Sequence, residues 1–120
     1  MFGARQVCDF RVNSDADVVE MVRRIHAAGA LFSINHDKPV IPWRYAVPEI
    51  DCMEVWQTHW LAGNHSSLAR YQQRLAEGRR ITALGSSDFH QPAIEPKGNL
   101  FTLGRPTTFL WLEELSVSAI

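Results

Sequence analysis

The sequence has few cysteines, no long apolar run and no excess of charge of either sign, and each absence excludes a class of protein. No segment approaches the ~20 consecutive apolar residues of a membrane span. The formal net charge of −1 gives no electrostatic reason to expect nucleic acid or an anionic membrane surface as a partner. Residues 1–5 lack the charged-then-apolar order of a secretion signal, so we expect a cytoplasmic protein.

The two cysteines, Cys8 and Cys52, are far apart and form no CxxC pair. We therefore expect two buried free thiols in a reducing cytosol. The apolar fraction of 46% and the charged fraction of 21% are those of an ordinary globular protein, and 120 residues make one domain at most.

Two segments have the apolar periodicity of an amphipathic helix. The first has a good N-cap in Ser14 and ends at Gly29, with an apolar stripe at Val18, Val22 and Ile25. The second ends near residue 78, and its predicted cap and stripe are Asn64, Leu68, Tyr71 and Leu75.

Four apolar segments, at residues 31–35, 52–56, 81–84 and 107–112, are predicted strands, and Ser116 is predicted to cap a further helix. The third segment is predicted to be buried. Strand, helix and strand with short connections favour parallel β/α units, which indicates the α/β class.

Polar clusters follow two of these strands. The first ends in the cluster Ile34-Asn35-His36-Asp37, and the sequence Ser86-Ser87-Asp88-Phe89-His90 follows the third. In α/β folds, ligands and metals collect at the carboxyl ends of the strands. Side chains at positions i and i+2 of an extended chain point the same way, so Asp88 and His90 are able to face one metal. Taken alone, this pair is also what a turn-capping Asp beside a chance His would look like.

Five blocks of sequence, in order, extend this pattern over most of the chain: SINH at 33–36, PWRY at 42–45, DCMEVW at 51–56, GRRITALGSSDFH at 78–90 and LGRPTT at 103–108. Together they resemble the PHP (polymerase and histidinol phosphatase) domain superfamily, and most nearly its carbaryl-hydrolase-like metallohydrolases. The resemblance implies a distorted (β/α)7 barrel with a two- or three-metal site at the carboxyl ends of its strands. It also implies hydrolysis of phosphoesters, or of other esters and amides, by a metal-activated water.

Carried over position by position, the resemblance makes His36 a metal-binding histidine. Asp88 and His90 match the family's final Asp-x-His, and they are the candidate catalytic residues as well as metal ligands. Glu54 matches an acidic residue of a strand that borders the site, where it either ligates metal or pairs with an arginine. The implied cofactors are divalent metal ions, namely Zn, Mn or Fe, which suit imidazole and carboxylate ligands.

The sequence departs from the family at Asp37, where Pro is usual, and at Ser86, where Gly is usual. The family's opening His-x-His, its next Asp-His and its bridging Glu have no counterpart. We therefore expect residues 1–120 to be the C-terminal portion of one such domain, a partial barrel of roughly four strands and two to three helices. Its cut edges are expected to favour self-association. The alternatives are a truncated, non-catalytic remnant with weak or no metal binding, and an interaction module derived from the fold.

Two residues of the loop after the first strand are candidate substrate-binding residues. Arg44 is placed to meet the anionic group of a small ester or phosphoester, and Trp43 to wall the pocket. The alternative is a surface cation beside a partly buried aromatic ring. The remaining histidines, His26, His59 and His65, are expected to be structural or solvated. A serine nucleophile in the cluster at 86–90 is rejected because no G-x-S-x-G elbow is present.

Overall fold

A computed structural model of the chain describes residues 1–47, 49–90 and 103–120. Its regular elements are, in order, α1 (Asp15–Ala27), β1 (Ser33–Ile34), β2 (Cys52–Gln57), α2 (Asn64–Ala76) and β3 (Thr82–Ser86). The strands form one parallel sheet in the order β1-β2-β3. The predicted α/β class is confirmed, with three parallel strands and two helices in the described residues.

Helix α1 forms where its sequence predicts. The Ser14 hydroxyl accepts a hydrogen bond from the backbone N–H of Asp17 at 3.1 Å, which satisfies one of the unpaired donors of the first turn. The predicted stripe is buried, and Met21 joins it. Together with residues of β1, β2 and the connecting segments, this stripe forms the core: Val18, Met21, Val22, Ile25, Ala30, Phe32, Ile34, Val47, Ile50, Met53 and Ile81.

Helix α2 differs from its prediction at its first turn. Its N-cap is Gly63, in the left-handed conformation, and the expected cap Asn64 is the first helical residue and fully buried. The Asn64 side chain instead accepts from the N–H of Gln57 at 2.8 Å and donates to the Gln57 carbonyl at 2.9 Å. The predicted apolar stripe is only partly buried, and Leu75 is exposed. The start of α2 is therefore fixed to the end of β2 by a polar side chain.

The third strand is less buried than its apolar sequence predicts. Thr82 and Ala83 are exposed and Leu84 is half-buried, while Ile81, just before the strand, belongs to the core. The reason is topological, because β3 is at the edge of the sheet that the described residues form, and α2 packs on β2. An apolar run does not by itself distinguish a central strand from an edge strand.

The predicted fourth strand at 107–112 is wrong. This segment lies beside β3, but it has no strand structure. The Thr108 hydroxyl donates to the Gly85 carbonyl at 3.1 Å and accepts from the Gly85 N–H at 2.9 Å. A side chain thus occupies the backbone groups that a fourth strand would need. Phe109 and Trp111 are 91% and 100% exposed, so apolar composition did not bring burial.

The predicted helix at Ser116 is also absent from the described residues, where the chain makes a turn closed by the Ala119 N–H and the Ser116 carbonyl at 3.3 Å. Both cysteines are free, but only Cys52 is buried and Cys8 is half-buried, which corrects one half of that expectation. No helix among the described residues is long and apolar enough to cross a membrane.

Candidate metal centre

The carboxyl ends of the three strands lie at one edge of the sheet, and each is followed by a non-glycine residue in the left-handed conformation. These residues are His36 after β1, Thr58 after β2 and Asp88 after β3, with φ of 58°, 47° and 51°. His and Asp adopt this conformation more readily than most residues, yet it still costs on the order of 1 kcal/mol. Such backbone is concentrated at functional sites. Two of the three residues are predicted metal ligands.

The buried carboxylate of Glu54 holds the first of these ligands. Its Oε2 accepts from the His36 backbone N–H at 3.0 Å and lies 2.5 Å from His36 Nδ1. Its Oε1 accepts from the Ser86 hydroxyl. The partner of Glu54 is therefore a histidine, not the arginine considered from sequence.

The same contacts shift the pKa values of His36 and Glu54. The hydrogen bond to Glu54 raises the pKa of His36 despite partial burial. Burial raises the pKa of Glu54, but hydrogen bonds from His36 and Ser86 outweigh it, so that pKa lies below its ordinary value. The pair is therefore stabilised in its charged form.

Asp88 lies between both predicted histidines. Its Oδ1 is 3.6 Å from His36 Nε2 and 2.7 Å from His90 Nε2. Its Oδ2 accepts from the Gln57 side-chain amide. Asp88 is mostly buried, whereas the His90 side chain is 75% exposed. Two of the predicted ligands, His36 and His90, thus converge on one carboxylate oxygen of a third, Asp88.

The donor set suits a divalent transition metal. Zinc bonds of about 2.0–2.2 Å place two ligand atoms of one ion roughly 3.0–3.5 Å apart, and the 3.6 Å between His36 Nε2 and Asp88 Oδ1 is close to that. The contact of His90 with Asp88 is a hydrogen-bond distance instead. In the described ranges, no three His, Cys, Asp or Glu side chains are already arranged around a common metal position. The side chains of His36, Asp88 and His90 are of the types that bind divalent metals. His36 and Asp88 are also near the separation expected for two ligands of one ion, and His90 lies beside Asp88.

Two polar residues that sequence reasoning missed complete the cluster. Lys38 is 2% exposed, and its ammonium donates to the side-chain carbonyl of Gln57. Burial lowers the pKa of Lys38, and the carboxylates of Glu54 and Asp88 offset part of that effect. One signal was present in the sequence, because Lys38 follows His36 by two positions, as His90 follows Asp88.

Asp37, where the resemblance expects proline, anchors the turn that carries His36. Its carboxylate is 1% exposed, accepts from Arg70 of α2 at 2.9 Å and from the Trp43 N–H at 3.0 Å. Its carbonyl accepts from the Ser67 hydroxyl of α2 at 3.1 Å. Helix α2 therefore positions the residues after β1 through polar contacts.

The two predicted substrate-binding residues match the alternative interpretation, a surface cation beside a partly buried aromatic ring. Trp43 packs edge-to-face on Phe32 and Tyr45, with ring centroids 6.0 and 6.3 Å away, at the margin of the core. Arg44 is exposed. Within the described part of the chain, no hydrogen bond or ion pair joins either residue to the cluster of His36, Glu54, Asp88 and His90.

The other histidines lie outside this cluster. His26, at the end of α1, is 2.8 Å from Asp51 and 3.4 Å from Glu49, which agrees with a structural role. His59 accepts from the Leu61 N–H at 3.3 Å, and His65 is exposed in the first turn of α2.

Comparison with protein-family models, with curated proteins and with solved structures finds no significant match. The family resemblance of the sequence therefore stays a prediction.

Proposed function

We propose that His36, Asp88 and His90 supply part of the divalent-metal centre of a hydrolase of the PHP type. The observation that supports this most is their convergence on Asp88 Oδ1 from two separate strand ends, with His36 and Asp88 both in the left-handed conformation. Backbone of this kind is concentrated at functional sites. The same proposal includes the architecture of the parent domain, in which the three strands are part of a distorted (β/α)7 barrel.

Glu54 acts in this proposal as a positioning residue and not as a ligand. With the Nδ1 proton of His36 directed at Glu54, Nε2 is the ring nitrogen left for a metal, which would bind there in place of the Nε2 proton. Carboxylates commonly orient metal-binding histidines in this way. Both oxygens of Glu54 already accept hydrogen bonds, from His36 and from Ser86.

Asp88 and His90 have complementary roles. Asp88 is held through Oδ2 by Gln57, which leaves Oδ1 directed at the two histidines. His90 is exposed, so its imidazole is accessible from solvent and is able either to ligate metal or to hold a proton shared with Asp88. A divalent metal in such a site lowers the pKa of bound water toward about 7, which supplies the hydrolytic nucleophile.

The proposed substrate is a small ester, amide or phosphoester. A non-catalytic remnant is the second candidate. The observation that favours it is that, of the three proposed ligands, all within the described residues, only His36 and Asp88 have a separation near that of shared metal ligands.

The experiment that tests the proposal is elemental analysis of the untagged chain purified without added metal. Near-stoichiometric Zn, Mn or Fe is expected, and it is expected to be lost in His36→Ala and in Asp88→Ala. His65→Ala is the matched control, because His65 is exposed on α2 outside the cluster. Equal metal in all four proteins, or none in any, would overturn the proposal.

Turnover separates the two candidates. The metal-loaded chain is assayed with p-nitrophenyl phosphate and with p-nitrophenyl acetate, which represent the phosphoester and carboxylic ester classes. Metal-dependent turnover that disappears in Asp88→Ala supports the hydrolase, whereas weak or no metal binding, without turnover of either substrate, supports the remnant.

A further inference from the structure

Lys38, Gln57 and Asp88 form a continuous chain of hydrogen bonds at the carboxyl edge of the sheet. The Lys38 ammonium donates to Gln57 Oε1, and Gln57 Nε2 donates to Asp88 Oδ2. Lys38 and Gln57 are 2% and 7% exposed, so this chain of contacts is almost entirely removed from water. We call it the Lys38–Gln57–Asp88 relay.

The orientation of the Gln57 amide follows from the chemistry of its two neighbours. An ammonium group only donates hydrogen bonds, so it must face the amide oxygen. An ionised carboxylate only accepts them, so it must face the amide nitrogen. With a cation at one end and an anion at the other, both hydrogen bonds are charge-assisted and stronger than neutral ones.

The middle and the start of the relay are fixed by the fold. The backbone N–H and carbonyl of Gln57 both bond the side chain of buried Asn64 at the start of α2. The aliphatic stem of Lys38 lies over Gly63, where an added Cβ would be 3.6 Å from the lysine Cδ. Neither Lys38 nor Gln57 is therefore free to follow Asp88 if that side chain moves.

We propose that Lys38 and Gln57 are positioning residues that fix Asp88 through its Oδ2 and so present Oδ1 to the metal. This inference rests on the proposed function of Asp88 as a ligand. The left-handed backbone at Asp88 determines the direction in which its side chain leaves the main chain, and the relay determines the position of its carboxylate. Lys38 acts through Gln57, because its ammonium holds the amide in the orientation that donates to Asp88.

The test measures the Zn²⁺ and Mn²⁺ dissociation constants by competition with a chromophoric chelator. Gln57→Met keeps the side-chain length but removes the donor, and Lys38→Met removes the charge that orients the amide. Each is expected to weaken metal binding about 10- to 100-fold, as loss of ligand-orienting partners typically does. Gln73→Met, on the exposed face of α2, is the matched control and is expected to leave affinity unchanged.

A double substitution tests whether Lys38 acts through Gln57. If it does, Lys38→Met in the Gln57→Met background weakens affinity no further, and a full second loss would overturn the relay. Unfolding of each metal-free protein in chelator shows whether an affinity loss exceeds any loss of folded protein. Unchanged affinity in Gln57→Met, with His36→Ala still abolishing binding, overturns the relay alone. No binding by the unaltered chain overturns the proposed function and this inference with it.

A measurement on the unaltered, metal-free chain keeps the relay testable if a substitution prevents folding. Nuclear magnetic resonance follows solvent exchange of the side-chain amide protons of ¹⁵N-labelled glutamines. Those of Gln57 are expected to exchange at least about 10-fold more slowly than those of exposed Gln72 and Gln73. Equal exchange would contradict the hydrogen bond to Asp88.

Discussion

The imidazole of His36 lies against the carboxylate of Glu54, with Nδ1 2.5 Å from Oε2, although the two residues are 18 positions apart in the chain. The strand pairing of β1 with β2 creates this relationship, since Ile34 is in register with Met53 and each functional residue follows shortly after. The contact is the most direct link between the fold and the proposed metal chemistry.

Replacing Glu54 with Gln should lower the pKa of His36, because the charged acceptor of its Nδ1 proton is lost. The free energy of unfolding should fall by about 1–3 kcal/mol, since buried hydrogen bonds to His36 and Ser86 lose their charged partner. Histidine titration by nuclear magnetic resonance and urea unfolding check the two effects. Glu77→Gln, at an exposed position after α2, should change neither, and an unshifted His36 titration in Glu54→Gln would contradict the prediction.

Stability of the metal-free chain should depend on pH through this same pair. The pKa of His36 is raised above its ordinary 6.5, so its contribution is full below that value and is lost as pH rises through the folded pKa. The pKa of Glu54 is lowered below its ordinary 4.5, so its contribution is lost as pH falls through the folded pKa. Urea unfolding in chelator should therefore show greater stability between about pH 5 and 6.5 than at pH 8 or pH 3. In His36→Gln the decrease from pH 6 to pH 8 should become smaller, and an identical decrease would sink the assignment.

The left-handed backbone of Asp88 predicts that the stability difference between glycine and alanine has one sign at Asp88 and the opposite sign at Glu20, in a helix. Asp88→Gly should be more stable than Asp88→Ala by about 1 kcal/mol, because glycine adopts φ near 51° without strain. At Glu20, on the exposed face of α1, glycine should instead be less stable than alanine by about 1 kcal/mol. Chemical denaturation of the four variants measures both differences, and the same sign at both positions would show that Asp88 carries no strain.

The two cysteines should react at different rates with a thiol reagent. Burial, and then the neighbouring Asp51 carboxylate, raises the pKa of the Cys52 thiol, so little reactive thiolate forms near neutral pH. Ellman's reagent at pH 8 should modify half-buried Cys8 first and Cys52 only on unfolding. Cys8→Ser should remove the fast phase, whereas two equally fast thiols in the unaltered chain would contradict the burial of Cys52.

Local signals predicted the helices and three strands well. Ser14 and the stripe of α1 are both determined by residues within one segment, and so sequence alone identifies them. Apart from the helix predicted at Ser116, the main failures are long-range. The sequence around Lys38 is that of a surface lysine, and its burial depends on the pairing of β1 with β2, which brings Gln57 to it. Thr108 bonds the backbone of Gly85 with its side chain, in place of the predicted strand.

The candidate site shows the same division. The spacing of Asp88 and His90 predicts that they lie together, and the structure agrees. The convergence of His36 with them depends on the parallel order of three strands, which the sequence predicts only as a class. The role of Glu54 depends on which partner it meets, and no local pattern distinguishes a histidine from an arginine.

The left-handed turns at His36 and Asp88 each come two residues after the last residue of a strand. The backbone of these two proposed ligands is therefore anchored directly to the sheet. The sheet in this sense determines where the proposed donors His36 and Asp88 begin.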